Sequence, residues 1–151
     1  MLKFQAQDPN FEGRVRESFA RQQLMQTLGA ALTLVAPGVV EIELPYRADL
    51  TQQHGFLHAG VIASVLDSAC GYAAFSLMPA DAAVLSVEFK VNLLAPARGE
   101  RLLARSEVKR AGRTVTVCTA DAFAFEGEQS KVVATMLGTM MCVRGRADLA
   151  G

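Results

Sequence analysis

The stretch AGVIASVLDSACGYAAFSL, from Ala59 to Leu77, is built almost wholly of small and apolar residues and carries one carboxylate, Asp67, near its middle. It is too long for a typical strand and Pro79 closes it, so it reads as a helix. A helix that is apolar nearly all round must be covered on most of its sides. The rest of the chain supplies the cover. Val84–Leu94, Arg101–Arg110, Thr114–Phe125 and Lys131–Val143 are strand-like, and Pro96–Gly99, Ala111-Gly112 and Glu126-Gly127 punctuate them. Two earlier strands are expected at Ala31–Val35 and Val39–Leu44, turned at Pro37-Gly38. In the second, Val40, Ile42 and Leu44 alternate with Glu41 and Glu43, which leaves one face wet. A single antiparallel sheet curled around one long central helix satisfies all of this, an α+β architecture.

Ahead of the strands, Phe11, Val15, Phe19, Leu24, Met25 and Leu28 recur among charged and Gln residues, which predicts one amphipathic helix over Phe11–Leu28 stopped by Gly29. Arg47–Leu57 has no clean period and reads as a loop. The central helix has two unlike faces. Gly60, Ala63, Ser64, Asp67, Ser68, Gly71 and Ala74 are small and would let another backbone come close. Val61, Ile62, Val65, Leu66, Tyr72 and Phe75 are expected to pack on the sheet.

The length, 151 residues, suits one domain over 1–151, with an N-terminal helical segment over 1–28 and a tail over 144–151. Lys+Arg and Asp+Glu are equal at 15 each, so the chain lacks the basic surplus that nucleic acid as a main partner demands. Cys70, Cys118 and Cys142 form no C-x-x-C pair and signal neither a zinc site nor a disulfide framework; they read as small hydrophobes in a reducing compartment. The N-terminal residues lack the apolar core of a signal peptide. Asp67 and its polar neighbours argue against a membrane span within Gly60–Met78. The expected location is cytoplasmic.

An unpaired carboxylate inside an apolar helix costs several kcal/mol unless it is satisfied locally or kept for function. The entrance of the same helix offers a complement. Its first N–H groups, those of Ala59 and Gly60, have no internal partners and sit at the positive end of the helix dipole, the geometry of an oxyanion hole. Asp67 lies roughly 11 Å further along the axis at 1.5 Å per residue. One chain cannot bring both to one carbonyl. A two-fold dimer that sets two such helices side by side can, each Asp67 meeting the partner's helix entrance.

The spacing Q-x-x-G-x-x-H-A-G-x-x-x-x-x-x-D, from Gln52 through Gly55, His58, Ala59 and Gly60 to Asp67, resembles the signature of hotdog-fold acyl-CoA thioesterases of the PaaI type. LSVEFKVNLLAPARGE, Leu85–Glu100, is similar to the strand that follows the central helix in that family, and KRAGRTV, Lys109–Val115, to its next turn. The resemblance implies a hotdog fold, hydrolysis of acyl-CoA to free acid and CoA, no cofactor, and a homodimer or dimer of dimers; no metal is expected, because His54 and His58 precede the helix and no third ligand accompanies them. It implies roles by position. Asp67 attacks the thioester or activates a water, and the Ala59 N–H polarises the carbonyl. His58 orients the loop or assists at the carbonyl. Gln52 positions water or substrate, and Ser86 holds the water or the Asp. Two departures stand out: Ala59 replaces the first Gly of H-G-G and crowds the thioester, and Gln52 replaces an Asn and is one methylene longer. Gly60, His54 and Phe56 are further candidates for substrate contact, with Leu57, Tyr72 and Phe75 as pocket walls. Arg110 and Arg113 are candidates for the CoA phosphates. Two rivals remain: a 3-hydroxyacyl thioester dehydratase using His54 and Asp67, and a non-catalytic acyl-CoA binding module.

Overall fold

The computed structural model describes residues 3–151; Met1 and Leu2, at the head of the expected helical segment, lie outside the described residues. Two helices come first, α1 (Phe11–Arg21) and α2 (Gln23–Leu28), then strands β1 (Ala31–Ala36) and β2 (Val39–Pro45). The long helix α3 (Ala59–Phe75) follows, and β3 (Ala83–Leu93), β4 (Arg101–Ala111), β5 (Val115–Glu126) and β6 (Gln129–Val143) complete the chain.

The strands form one sheet in the order β1-β2-β4-β5-β6-β3. Every neighbouring pair is antiparallel. α3 packs on one face of this sheet and touches five of its strands, β2 to β6. The core lies between them. Ile62, Val65, Leu66, Ala69, Cys70, Ala73 and Phe75 of α3 meet Val40, Ile42, Leu102, Ala104, Cys118, Ala120, Met136 and Met140 of the sheet, all buried. The small side chains at Ala104, Ala120 and Ala122 leave room for the helix. This is the hotdog arrangement that the motif implied.

The single N-terminal helix expected over Phe11–Leu28 is two. Gln22 is extended, with φ −78° and ψ 99°, and interrupts it. The apolar period runs on through the break because both pieces cover the same core, Val15 from one and Met25 and Leu28 from the other. Gly29 closes α2 in the left-handed region at φ 75°. α3 ends at Phe75, short of Leu77, where Arg14 caps it. The guanidinium donates to the carbonyls of Phe75, Met78 and Pro79 at 3.0, 2.9 and 2.7 Å and stacks 4.4 Å from the centroid of the Phe75 ring.

The two faces of α3 are also drawn differently. Ser68 and Ala74, expected on the open side, are buried, and Val61, expected against the sheet, is half-buried. Gly60 is exposed, and Ala63, Ser64, Asp67 and Gly71 are half-buried on a strip that the described residues leave uncovered. A Cβ added at Gly71 would meet no atom within 4 Å. Beside this strip runs β3, a strand at the sheet's edge. Four of its large apolar residues are exposed, Val87 at 54 %, Leu93 at 53 %, Leu85 at 45 % and Phe89 at 43 %, while Val84 and Val91 are half-buried against the core.

Candidate active site

Asp67 projects from α3 toward β3. The Ser86 hydroxyl donates to its Oδ1 at 2.7 Å and also stands 3.3 Å from the Met140 sulfur. The pairing of β3 with β6 shifts register between Ser86 and Glu88, a bulge just beyond this serine. The carboxylate is half-buried rather than enclosed, because the strip of helix that carries it is open within the chain.

The second element of the site is the entrance of α3. His58 is its N-cap, with extended backbone, and its Nδ1 accepts from the Gly60 N–H at 2.8 Å. An accepting Nδ1 places the proton of the neutral ring on Nε2. The Gly60 N–H is therefore committed to His58, a correction to the expectation that both entrance amides are free. The Ala59 N–H has no hydrogen-bond partner among the described residues. Gln52 lies nearby but turns inward to its own loop: its side-chain carbonyl accepts from the His54 N–H at 2.5 Å, and its backbone brackets the turn through bonds with Phe56 and Gly55. Gly55 takes φ +82° at that turn, and the Tyr46 hydroxyl donates to its carbonyl at 2.7 Å. This loop is thus braced, and it delivers Ala59 to the start of the helix in a fixed place.

Two cavities flank these elements. The first, about 320 Å³, opens beside Asp67 and Ser86 and is lined by Ser18, Gln22, Ser68, Gly71, Tyr72 and Phe75, with Arg21, Val84 and the last two residues at its margin. The second, about 490 Å³, opens beside Ala59 and is walled by Phe56, Leu57, Ile62, Leu93, Leu94 and Pro96, with Gln52. The expected wall residues thus divide, Tyr72 and Phe75 to one cavity and Phe56 and Leu57 to the other. Burial pushes the Tyr72 phenol above its ordinary pKa, the Ser18 hydroxyl pulling back, so it stays protonated as a donor.

Within one chain the structure brings together Asp67 with Ser86, and His58 with Ala59, Gly60 and Gln52. It does not bring the two groups to one point, since eight residues of helix, about 12 Å, separate Ala59 from Asp67. His54 is exposed beside Gln53 and borders a further cavity with Tyr46, Phe56, Arg98, Glu100 and Glu126. Arg110 is the penultimate residue of β4 and Arg113 lies in the β4–β5 turn; Arg113 lines a groove with Leu77 and Met78 past the far end of α3. Burial pushes the Cys70 thiol up to about 12 and raises Cys118 as well, which leaves neither available as a thiolate. No cluster of three His, Cys, Asp or Glu side chains fit to hold a metal occurs among the described residues. No helix among them is long and apolar enough to cross a membrane.

Sequence reasoning missed Ser18, Arg21 and Gln22 in the wall beside Asp67, and Arg98, whose guanidinium lies 5.6 Å from the Phe56 ring centroid. Ser18, Arg21 and Gln22 sit among other polar residues of an amphipathic segment, and nothing in the sequence singles them out.

Residues 54–131 match the Thioesterase superfamily. The crystal structure of a thioesterase family protein from Silicibacter pomeroyi is 58% identical, aligns over 89% of this chain and 99% of that one, and superposes with a TM-score of 0.88. A protein of Halobacterium salinarum whose name proposes an esterase is 34% identical over 99 residues, which span 62% of this chain and 65% of that protein. The E. coli PaaI protein from the phenylacetic acid degradation operon shares the fold, with a TM-score of 0.81 and 20% identity over 90% of this chain and 95% of that one. The helix-on-sheet architecture and the match across the loop, α3 and the following strands lead to one conclusion: this chain is a hotdog-fold member of the thioesterase superfamily.

Proposed function

We propose that this chain is a PaaI-type acyl-CoA thioesterase that works as a homodimer, with each site shared between two protomers. One observation carries the reading. Asp67, held by Ser86 of β3, and the unpartnered Ala59 N–H lie on one helix, on a strip that none of the described residues covers, about 12 Å apart. A second copy turned two-fold and antiparallel brings Asp67 of each protomer to the Ala59 of the other. The exposed apolar β3 edge supports the same pairing, since a long edge strand of this kind is otherwise an aggregation hazard.

In such a site the Ala59 N–H, strengthened by the helix dipole, donates to the thioester oxygen and stabilises the negative charge that develops on it. His58 serves by holding the loop and the Gly60 amide, so that Ala59 is presented alone. Asp67 then acts in one of two ways. It attacks the carbonyl carbon, expels the CoA thiolate and forms a mixed anhydride that water cleaves. Alternatively it takes a proton from a water that attacks the same carbon. Both give free acid and CoA. Ser86 holds the carboxylate through the 2.7 Å bond and fixes which oxygen faces the substrate. The acyl group occupies the cavity beside Asp67. The pantetheine arm of CoA lies along the partner's apolar cavity beside Ala59, and Arg98 at that mouth joins Arg110 and Arg113 as partners for the CoA phosphates. Three free cysteines fit a reducing, cytoplasmic setting.

The test uses the helix itself. Ala59→Pro removes the N–H at the first helical position, where proline is well tolerated, and His58 already has the extended backbone that a following proline requires. Ala59→Pro and Asp67→Asn are each expected to lower release of free thiol from acyl-CoAs by 10²-fold or more. Refolded together in equal amounts, half of the dimers are mixed and each holds one intact site, so about a quarter of wild-type activity returns. No recovery would refute the shared site. Saturable acyl-CoA binding with no turnover by wild type would replace the enzyme with a binding module.

A further inference from the structure

The pairing of β3 with β6 sets Glu88, Lys90 and Asn92 opposite Thr139, Leu137 and Thr135, and sets Phe89, Val91 and Leu93 opposite Gly138, Met136 and Ala134. Met136 and Ala134 are buried under α3, so Phe89, Val91 and Leu93 lie on the inner face of the sheet and Glu88, Lys90 and Asn92 on the outer one. Elsewhere on the sheet charges are matched within the chain: Glu43 pairs with Arg101 at 3.2 Å, Glu41 with Arg105 and Glu107 with Lys109. Glu88 and Lys90 have no ion-pair partner among the described residues. Glu88 accepts from the Thr139 hydroxyl, Lys90 donates to Asn92 Oδ1 at 3.2 Å, and both side chains stay exposed. They stand two residues apart on the free edge of the sheet, one of each sign, with Phe89 between them.

On the shared-site reading above, the two-fold axis that exchanges Asp67 with the other copy's Ala59 passes α3 midway between those residues, at Ala63. β3 runs alongside: Ser86 is bonded to Asp67, and Leu93 shares a cavity wall with Ala59. The same axis therefore crosses β3 midway between Ser86 and Leu93, at Phe89 or Lys90. A sheet with one buried face admits only pairings in which opposite side chains share a face, so the axis falls on a residue and not between two. On Lys90, it would set that ammonium against its own copy and Glu88 against Asn92. On Phe89, it sets Glu88 of each copy against Lys90 of the other, and the two Phe89 rings meet on the inner face. Opposite charges across a strand pair are favourable and like charges are destabilising, which decides for Phe89. We infer that Glu88 and Lys90 are positioning residues: pairing across the axis, they set the register of the two β3 strands, and with it the reach from Asp67 to the other copy's Ala59. Moving the axis by one residue slides the strands by two, about 7 Å, which is too far for one carbonyl to meet both groups.

The experiment exchanges the charges. Glu88→Lys puts two lysines on the edge and Lys90→Glu two glutamates, so each variant repels its own copy at both contacts. Each should raise the dimer dissociation constant about tenfold in sedimentation, and the loss should shrink in about 1 M salt. Mixed in equal amounts, the two variants restore both contacts to each other. Heterodimers should then make up about nine-tenths of all dimers by native mass spectrometry, with one variant isotope-labelled. The statistical half would mean that the two positions do not face each other and would overturn the inference. The variant carrying both exchanges should dimerise like wild type, which keeps the test open if a single variant does not fold; a double variant as weak as the singles also overturns it. At concentrations where every form is dimeric, kcat on acyl-CoA should fall at least threefold in each single variant and return in the heterodimer. An unchanged kcat in the singles would remove the positioning role and leave the shared site standing. If wild type turns over no thioester, the enzyme reading falls, and the heterodimer fraction alone decides the register.

Discussion

Replacing Arg14 with methionine should cost the fold about 3 kcal/mol. Arg14 lies on α1, its side chain 12 % exposed, and it fastens that helix to the end of α3 through three backbone carbonyls. Its fourth partner is the Asp8 carboxylate at 3.1 Å, itself 11 % exposed. Burial pulls the guanidinium pKa down and Asp8 pushes it back up, so the group stays charged. Removing one member of a buried ion pair typically costs about 3–5 kcal/mol, because the other is left unpaired. Two features place this case at the lower end. Asp8 also accepts from the Asn10 N–H at 2.9 Å, and the Arg14 Nε is buried without a partner, a cost the variant relieves. Methionine preserves much of the stem over Phe75, so the loss measures hydrogen bonds and charge rather than packing. Lysine should not rescue it, since one ammonium cannot fork to three carbonyls and a carboxylate. Urea unfolding of wild type, Arg14→Met, Asp8→Asn and the double variant, at one fixed protein concentration, gives the values and the coupling. A loss below about 1 kcal/mol for Arg14→Met would refute the view that this arginine joins the N-terminal helices to α3.

Ser86→Ala should lower kcat about 10- to 100-fold, with KM little changed, through loss of a charge-assisted bond worth about 1.5–3 kcal/mol; an unchanged kcat would remove Ser86 from the site. His58→Ala should lower stability by about 1 kcal/mol through the lost N-cap, and His58→Asn should recover most of it in thermal melts. Val87→Lys places a charge on the exposed β3 edge and should yield a folded, inactive monomer by light scattering; a fully active dimer would move the interface elsewhere. A thiol-specific reagent at pH 8 should titrate Cys142 first, while Cys70, its thiol pushed up to about 12, and Cys118 should react only after unfolding. Rapid reaction of all three would contradict the buried core.

The strands were readable because each carries its own punctuation: the Pro37-Gly38, Ala111-Gly112 and Glu126-Gly127 turns fall where the structure has them, and element ends differ by one or two residues. Other features depended on distant groups. The break at Gln22 leaves no mark in the apolar period, since Ser68 and Tyr72, far along the chain, hold its side chain. The exposure of Val87 and Phe89 follows from strand order: β3 pairs with β6 alone, and alternation along β3 cannot tell an edge from a centre. Asp67 was legible as an anomaly, and the resemblance offered Ser86 as partner to either the water or the Asp; the structure has it on Asp67. The capture of the Gly60 amide by His58 was not, because it turns on one rotamer at the helix entrance.

The rigidity of α3 has a further consequence when the site is shared. Ala59 and Asp67 are fixed on one rod, so each protomer lends a donor to one reaction and a carboxylate to the other, and a slide of the two helices alters both sites equally. A lone protomer holds two halves that belong to different reactions. Catalysis then depends on how much chain is present: well below the dimer's dissociation constant the rate rises with the square of protein concentration, and dilution silences the protein without unfolding it.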